Sequence, residues 1–293
     1  MGSRSRTWKK PSLKYGRPPT AQRLKASISS KATQKTIVTF HQLNRDLERA
    51  RASGDQAQIK RFQQQIDAIG GIKAYQQASI QGQAVDRGGD SSTILLKWLE
   101  PVREELLKAS PKMKMLEIGA LSTRNACSRS GVFDVTHIDL NSQGPGIEQQ
   151  DFMARPLPAG ADDKLDVVSL SLVLNFVPDA KVRGEMLRRT TTFLQHRISS
   201  SSNEIGKVMP SLFLVLPAPC VTNSRYFDDH QLGRIMGSLG YALMHRKETA
   251  KLVYYLWHLQ HRQALEQQSF AKTKIRDGRT MNNFHVVLQR PNS

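Results

Sequence analysis

The stretch MLEIGALSTRNAC, Met115–Cys127, decides the fold. It begins as an apolar strand, reaches an acid and a glycine at Glu117-Ile118-Gly119, and opens into small polar residues. A nucleotide-binding turn begins this way, because glycine lets a backbone approach a ligand with no side chain between them. Twenty residues on, HIDLN ends a second strand at Asp139, where a carboxylate can accept hydrogen bonds from ribose hydroxyls. Gln150-Asp151-Phe152 then offers an acid for an adenine amino group and a ring to cover its face. There is no G-x-G-x-x-G and no G-K-[ST], so nothing cradles a pyrophosphate or triphosphate. Ala120, Leu121 and Ser122 stand where further glycines belong. Ribose and adenine contacts without a phosphate nest suit S-adenosylmethionine, which carries a sulfonium instead. An ordinary strand end with an unrelated aspartate downstream remains the plainer alternative at this point.

Working outward, strand-like and helix-like stretches alternate from Lys112 onward. Strands are expected at 113–118, 133–139, 165–170, 211–216, 250–257 and 284–289, and helices at about 179–197 and 227–239. Such alternation predicts an α/β domain with a mostly parallel sheet covered by helices. The run Tyr254-Tyr255-Leu256-Trp257 reads as a buried strand. The fourth-strand region, LDVVSLSLVLNFVPDAKVRGEML, is where such enzymes normally carry substrate-side residues, and it contains Ser171, Asn175, Phe176, Pro178 and Asp179. It lacks the N-P-P-Y form that grips an exocyclic amine. Asn175 and Phe176 can hydrogen-bond and stack on a base, or simply belong to the core.

Upstream, Phe40, Leu43 and Leu47, then Ile59, Phe62, Ile66 and Ile69, recur at helical spacing. A turn at 52–55 and a stop at Gly70-Gly71 make this a helical hairpin. Asp90-Ser91-Ser92 should cap a helix carrying Ile94, Leu95, Trp98 and Leu99 inward, as a lid or brace over the site. The domain reading is therefore 1–38 a basic disordered arm, 39–111 a helical hairpin with the lid or brace, and 112–293 the cofactor-binding domain. The insert 199–210 reads as a flexible surface loop by composition.

A formal charge of +18 with pI near 10.2 implies an anionic partner. Residues 1–35 hold ten Lys or Arg and no acid, the signature of a disordered arm that grips RNA or serves as a nuclear or nucleolar address. The basic connection 261–283 is a second candidate phosphate grip. No segment approaches the ~20 apolar residues that span a bilayer, so no membrane is expected. Cys127 and Cys220 form no disulfide framework. His137, His230, His245, His258 and His261 share no metal spacing, so no metal is expected.

With these residues in hand, the chain resembles the fungal nucleolar methyltransferases of N1 of an adenine in large-subunit ribosomal RNA, and their animal relatives that sense S-adenosylmethionine. The likeness rests on YQQASIQGQAVDRGGDSS, LEIGAL with HIDLN, DFMARPLP and SLVLNFVPDAKVRGEML, and covers roughly residues 70 to 290. It implies a Rossmann-like class I methyltransferase fold with a seven-stranded, mostly parallel sheet, carrying the helical extension and basic arm at its front. It implies S-adenosyl-L-methionine as cofactor, with Gly119 and Asp139 matching the family's contacts after strands one and two and Tyr75, Gln76 and Arg87 matching the lid block. The reading of the residues adds Glu117, Asp151, Phe152 and Ser171 as expected cofactor contacts and Asn175 and Phe176 as the catalytic candidates. Ribosomal RNA, within a pre-60S particle during ribosome biogenesis, is the implied partner; the protein is expected to be a nuclear, nucleolar monomer. The alternatives are a sensor acting through a protein partner and a ribosome-assembly factor with a vestigial site.

Overall fold

A computed structural model describes residues 30–71, 73–74, 90–142, 144–195, 204–260 and 268–290. Seven strands form one sheet: β1 Met113–Ile118, β2 Phe133–Asp139, β3 Glu148–Gln149, β4 Val167–Ser171, β5 Ser211–Pro217, β6 Tyr241–Glu248 and β7 Leu252–Leu259. Their spatial order is β3-β2-β1-β4-β5-β7-β6. Neighbours from β3 to β5 pair in parallel, and β7 lies antiparallel between β5 and β6. The chain runs outward to β3 and then restarts on the other side of β1, so a crevice opens between the carboxyl ends of β1 and β4. This is a Rossmann-like class I methyltransferase fold with the expected seven-stranded, mostly parallel sheet.

The reason lies in the strand sequences. VVSLS in β4 and SLFLVLP in β5 are almost wholly buried, because helices cover both faces of a parallel sheet. On one face, Leu116, Leu170 and Leu214 pack with Leu187 and Leu232, from helices Ala180–Phe193 and Asp229–Ser238. On the other, Met115, Phe213 and Val215 meet Leu95, Leu99 and Leu106. Each leucine so buried contributes about 1.5–3 kcal/mol.

In chain order the helices used below are α1 Ser30–Ser53, α2 Gln56–Ala68, α3 Ser92–Trp98, α4 Arg103–Lys108, α5 Ala126–Arg129, α6 Ala180–Phe193, α7 Glu204–Val208, α8 Pro219–Thr222 and α9 Asp229–Ser238. Helices α1 and α2 form the expected hairpin around Phe40, Leu47 and Ile66, with Asp55 capping α2 through Gln58 N–H. Helix α1 starts at Ser30, within the stretch read as the arm, where the sequence holds good helix formers. Helices α3 and α4 brace the sheet, with Leu95 and Leu99 buried in one cluster with Met115 and Phe213. Part of the 199–210 insert, Glu204–Val208, is the short helix α7, with Ile205 buried.

The strand expected at 284–289 is not one. That segment makes one isolated bridge, Leu288 with Phe270, and Asn282 just before it makes another with Ser224. The place beside β5 is taken by β7, whose YYLW run is buried as expected. Residues 268–290 instead form a strap whose last part, 284–289, lies against α6. A Cβ on Gly184 would lie 2.0 Å from the carbonyl oxygen of Val287, so only glycine lets the strap sit directly on the helix. Strand β6 escaped prediction because its second half, HRKE, is the charged sequence of an exposed edge. Two-residue β3 is too short to leave a pattern.

Candidate functional site

Strand β1 ends at Ile118, and Gly119 takes φ +76°. A Cβ there would lie 2.6 Å from Val173 Cγ2, so both backbone and neighbour exclude a side chain. The N–H groups of Gly119 and Ala120 both donate to Ile138 O, at 2.8 and 3.0 Å. That contact fixes the bend against the end of β2, where Asp139 follows, half-buried, its Oδ1 accepting from Asn141 N–H at 2.7 Å. Gly119 opens into a cavity of about 270 Å³ that Glu117 and Ser171 also line. Three expected cofactor residues are thus brought together, with Asp139 on the adjoining strand end.

The same cavity is lined by Asp90, Ser91, Asn125, Arg124 and Arg129, none of which was expected there. Asp90 joins two helix starts. Its Oδ1 accepts from Ser92 N–H (2.9 Å) and Ser92 Oγ–H (2.6 Å), and its Oδ2 from Ala126 N–H. Ser91 Oγ lies 2.8 Å from Ser171 Oγ, tying α3 to the end of β4. Asn125 caps α5 and donates from Nδ2 to Glu117 Oε2 at 2.5 Å. In sequence, GGDSS read as a helix cap; that an acid there faces β1 is set by packing of α3 and leaves no local signal.

Glu117 is the unusual group. Burial pushes its carboxyl up to about 7; the Asn125 hydrogen bond opposes this and the negative charge of Asp90 adds to it. His137 Nε2 stands 3.5 Å from Glu117 Oε2 and 2.8 Å from Ser128 Oγ. Ser128 spends its hydroxyl proton on Asn125 Oδ1, so it accepts from His137 Nε2–H. Burial lowers the His137 pKa, which keeps the ring neutral and makes it a satisfied histidine, as expected. Cys127, nearby, has its thiol pushed up to about 12 by burial and is no nucleophile. Two adjoining carboxylates, one ready to lose a proton near neutrality, attract an ammonium group; Arg124 and Arg129 on the same lining suit a carboxylate. The cavity therefore fits a zwitterionic amino-acid end, with Asp139 on the adjoining strand end.

The other expected residues are dispersed. Asp151 is exposed, its Oδ1 accepting from Met153 N–H at 2.8 Å. Phe152 is 2% exposed, 5.2 Å from the Phe193 ring with the Arg189 guanidinium over it, so it is core and cannot cover a base. Gln76, Arg87 and Tyr75 lie outside the described residues. After Ser171, Leu172 adopts φ 59°, a strained value for a branched side chain, as the chain turns into the loop with Asn175 and Phe176. Asn175 Oδ1 is buried and, among the described residues, has no hydrogen-bond partner. Such an orphan acceptor costs about 1–3 kcal/mol until a donor reaches it.

Among the described residues no three His, Cys, Asp or Glu side chains gather as metal ligands, and no helix is long and apolar enough to cross a membrane. Residues 60–286 match a family model described as Bmt2, 25S rRNA (adenine(2142)-N(1))-methyltransferase. The chain is 35% identical over 269 residues to the Saccharomyces cerevisiae 25S rRNA (adenine(2142)-N(1))-methyltransferase, covering 90% of this chain and 75% of the relative. It is 38% identical over 255 residues to the Schizosaccharomyces pombe 25S rRNA adenine-N(1) methyltransferase, covering 86% and 90%. Among solved structures, the 16S rRNA methylase RmtB aligns over 78% of this chain and 98% of its own, at 10% identity and TM-score 0.38.

Proposed function

This chain belongs to the Bmt2 family of 25S rRNA (adenine-N1)-methyltransferases, and from that premise we propose that it methylates N1 of an adenine in large-subunit ribosomal RNA, using S-adenosyl-L-methionine. What carries the reading is that the family match, 60–286, contains every residue that lines the cavity at the ends of β1 and β4. Both relatives are described as enzymes, which favours catalysis over the sensing alternative.

When bound, the cofactor supplies a methyl group on a sulfonium. Glu117 and Asp90 hold its ammonium, Arg124 or Arg129 its carboxylate, and Asp139 the ribose. Gly119 keeps the floor of the site free of side chains. Adenine N1 carries an in-plane lone pair and is mostly unprotonated at neutral pH, so the protein need not supply a strong base. Its task is to aim that lone pair and exclude water, which is catalysis by proximity and orientation. In this reading Asn175, whose Oδ1 is buried without a partner among the described residues, accepts from the adenine amino group, and Phe176 stacks on the base. N1 lies on the Watson–Crick edge, so the target must be unpaired or flipped out.

The site of action in this reading is the nucleolus, on a pre-60S particle, with the protein as a monomer; the acid-free basic segment 1–35 supports an RNA-rich compartment. Nucleoside mass spectrometry of large-subunit RNA from a deletion strain tests the activity. We expect 1-methyladenosine to vanish and to return with the wild-type gene but not with Asp139→Ala. Normal modification in the deletion strain overturns the reading. A fluorescent fusion outside the nucleolus overturns the location alone.

A further inference from the structure

Beyond the donor cavity, the carboxyl edge of the sheet carries an aromatic and basic seat that methyl transfer leaves without a role. Tyr226 is half-buried in the loop between α8 and α9. Its ring centroid lies 5.8 Å from that of His285, tilted by 56°, and the Lys272 ammonium stands 4.3 Å from the Tyr226 centroid. Lys272 and His285 both come from the strap, which brings them to Tyr226 from two places thirteen residues apart. His285 Nδ1 lies 2.9 Å from Asn283 O, which places the ring proton on Nδ1 and leaves Nε2 as an acceptor. Burial lowers the pKa of this histidine, against the opposing Asn283 hydrogen bond; Lys272 and Arg183 add to the lowering and Asp179 opposes it.

The seat is joined to the substrate side of the site. Arg183 donates to His285 O at 2.7 Å and to Val177 O at 2.8 Å, and its guanidinium lies 4.5 Å over the Phe284 ring. His285 is thereby fastened to the loop of Asn175 and Phe176, whose Val173 packs on Gly119. A line runs from the donor cavity through that loop to His285 and Tyr226. Two other strap cations, Arg276 and Lys274, are committed elsewhere. Arg276 donates to the carbonyls of Ser224, Val221 and Phe227, and Lys274 pairs with Asp277. Lys272 is exposed.

We propose that Tyr226, His285 and Lys272 seat an unpaired RNA nucleotide flanking the target adenine, the rings taking its base and the ammonium its phosphate. Two aromatic rings beside an exposed cation match the chemistry of single-stranded RNA, whose exposed base faces stack on aromatics while its phosphates meet lysine. A base inside a duplex offers no such face. The inference rests on the RNA-methyltransferase reading.

The test uses the full-length protein, S-adenosylmethionine and large-subunit RNA isolated from cells deleted for the gene. Tyr226→Ala should raise KM for RNA roughly tenfold or more, leaving kcat and donor affinity by calorimetry unchanged, and Tyr226→Phe should restore KM. Lys272→Gln should lower the slope of log affinity against log salt by about 0.7. An unchanged RNA KM in Tyr226→Ala, with wild-type protein active, overturns the seat and leaves the enzyme reading intact. If Tyr226→Ala does not fold, an unchanged KM and salt slope in Lys272→Gln overturns it equally. Wild-type protein that transfers no methyl group to RNA overturns the function and the seat together.

Discussion

At the scale of single residues, Glu117 sets function against stability. Its folded pKa, about 7, lies above its ordinary 4.5, so the native state binds the extra proton between those values. Its contribution to stability is complete below about pH 4.5 and is lost as pH rises through 7. The gap caps the effect at roughly 3 kcal/mol, at 1.36 kcal/mol per tenfold. Glu117→Gln should therefore raise the apoprotein Tm at pH 8 and flatten its fall between pH 5 and 8, read by scanning calorimetry. Donor affinity should behave oppositely, rising with pH in wild type as the carboxylate forms beside Asp90, and dropping at every pH in the variant. Donor binding that ignores pH between 6 and 8 contradicts the role given to Glu117. Gly119 tests geometry rather than charge. Gly119→Ala adds a left-handed backbone cost and an overlap with Val173, together roughly 2–4 kcal/mol. Val173→Ala added to it should recover the overlap part only, so the double-mutant cycle in urea denaturation should show favourable coupling. Gly119 and Asp139 were legible in the sequence because their spacing follows from two strand ends. Asp90 and Asn125 were not: each reaches Glu117 through a separate helix, and no spacing in the chain records that meeting.

At the scale of elements, the strap shows where sequence pattern misleads. FHVVLQ has the composition of a strand, and the six-residue run was read as one. Pairing needs an open sheet edge, and β7 fills the place beside β5. The backbone of the strap instead finds partners on its neighbours. Val287 N–H donates to Ala180 O at 2.9 Å, and the Arg225 guanidinium donates to Met281 O and Gly278 O at 2.6 Å each. Arg276 returns the contact to the segment around Arg225, so the two arginines fasten the strap from both sides. Gly184→Ala makes the competing terms measurable. Helix propensity alone favours alanine by roughly 1 kcal/mol. The added Cβ would meet Val287 O at 2.0 Å and must push the strap off α6. The displacement should win: trypsin should cut within 271–283 faster than in wild type, and RNA KM should rise with donor affinity unchanged. Protection equal to wild type means the strap does not rest on Gly184.

At the scale of the whole molecule, charge and fold do separate work. The α/β core was legible from the alternation of buried runs, because three strands, β4, β5 and β7, bury nearly continuous apolar sequence that only a covered sheet accepts. The charge of +18 was legible as a demand for an anionic partner, but composition cannot say which cations are available. Packing decides: Arg183, Arg225 and Arg276 are turned onto backbone carbonyls, and their charge holds the fold together. The segment 1–29 carries eight Lys or Arg and no acid. If all eight met phosphates of single-stranded RNA, the log–log salt slope would steepen by about 5–6, at 0.7 for each. Deleting residues 1–29 should flatten the measured slope by up to that amount, raise KM for RNA and leave S-adenosylmethionine affinity untouched. Filter binding across 50–200 mM salt reads the first and calorimetry the last. Because that attraction is blind to sequence, the truncated protein should still modify the same adenine, only more slowly at low RNA concentration. Loss of site choice on truncation would place recognition in the arm and take it away from the sheet edge.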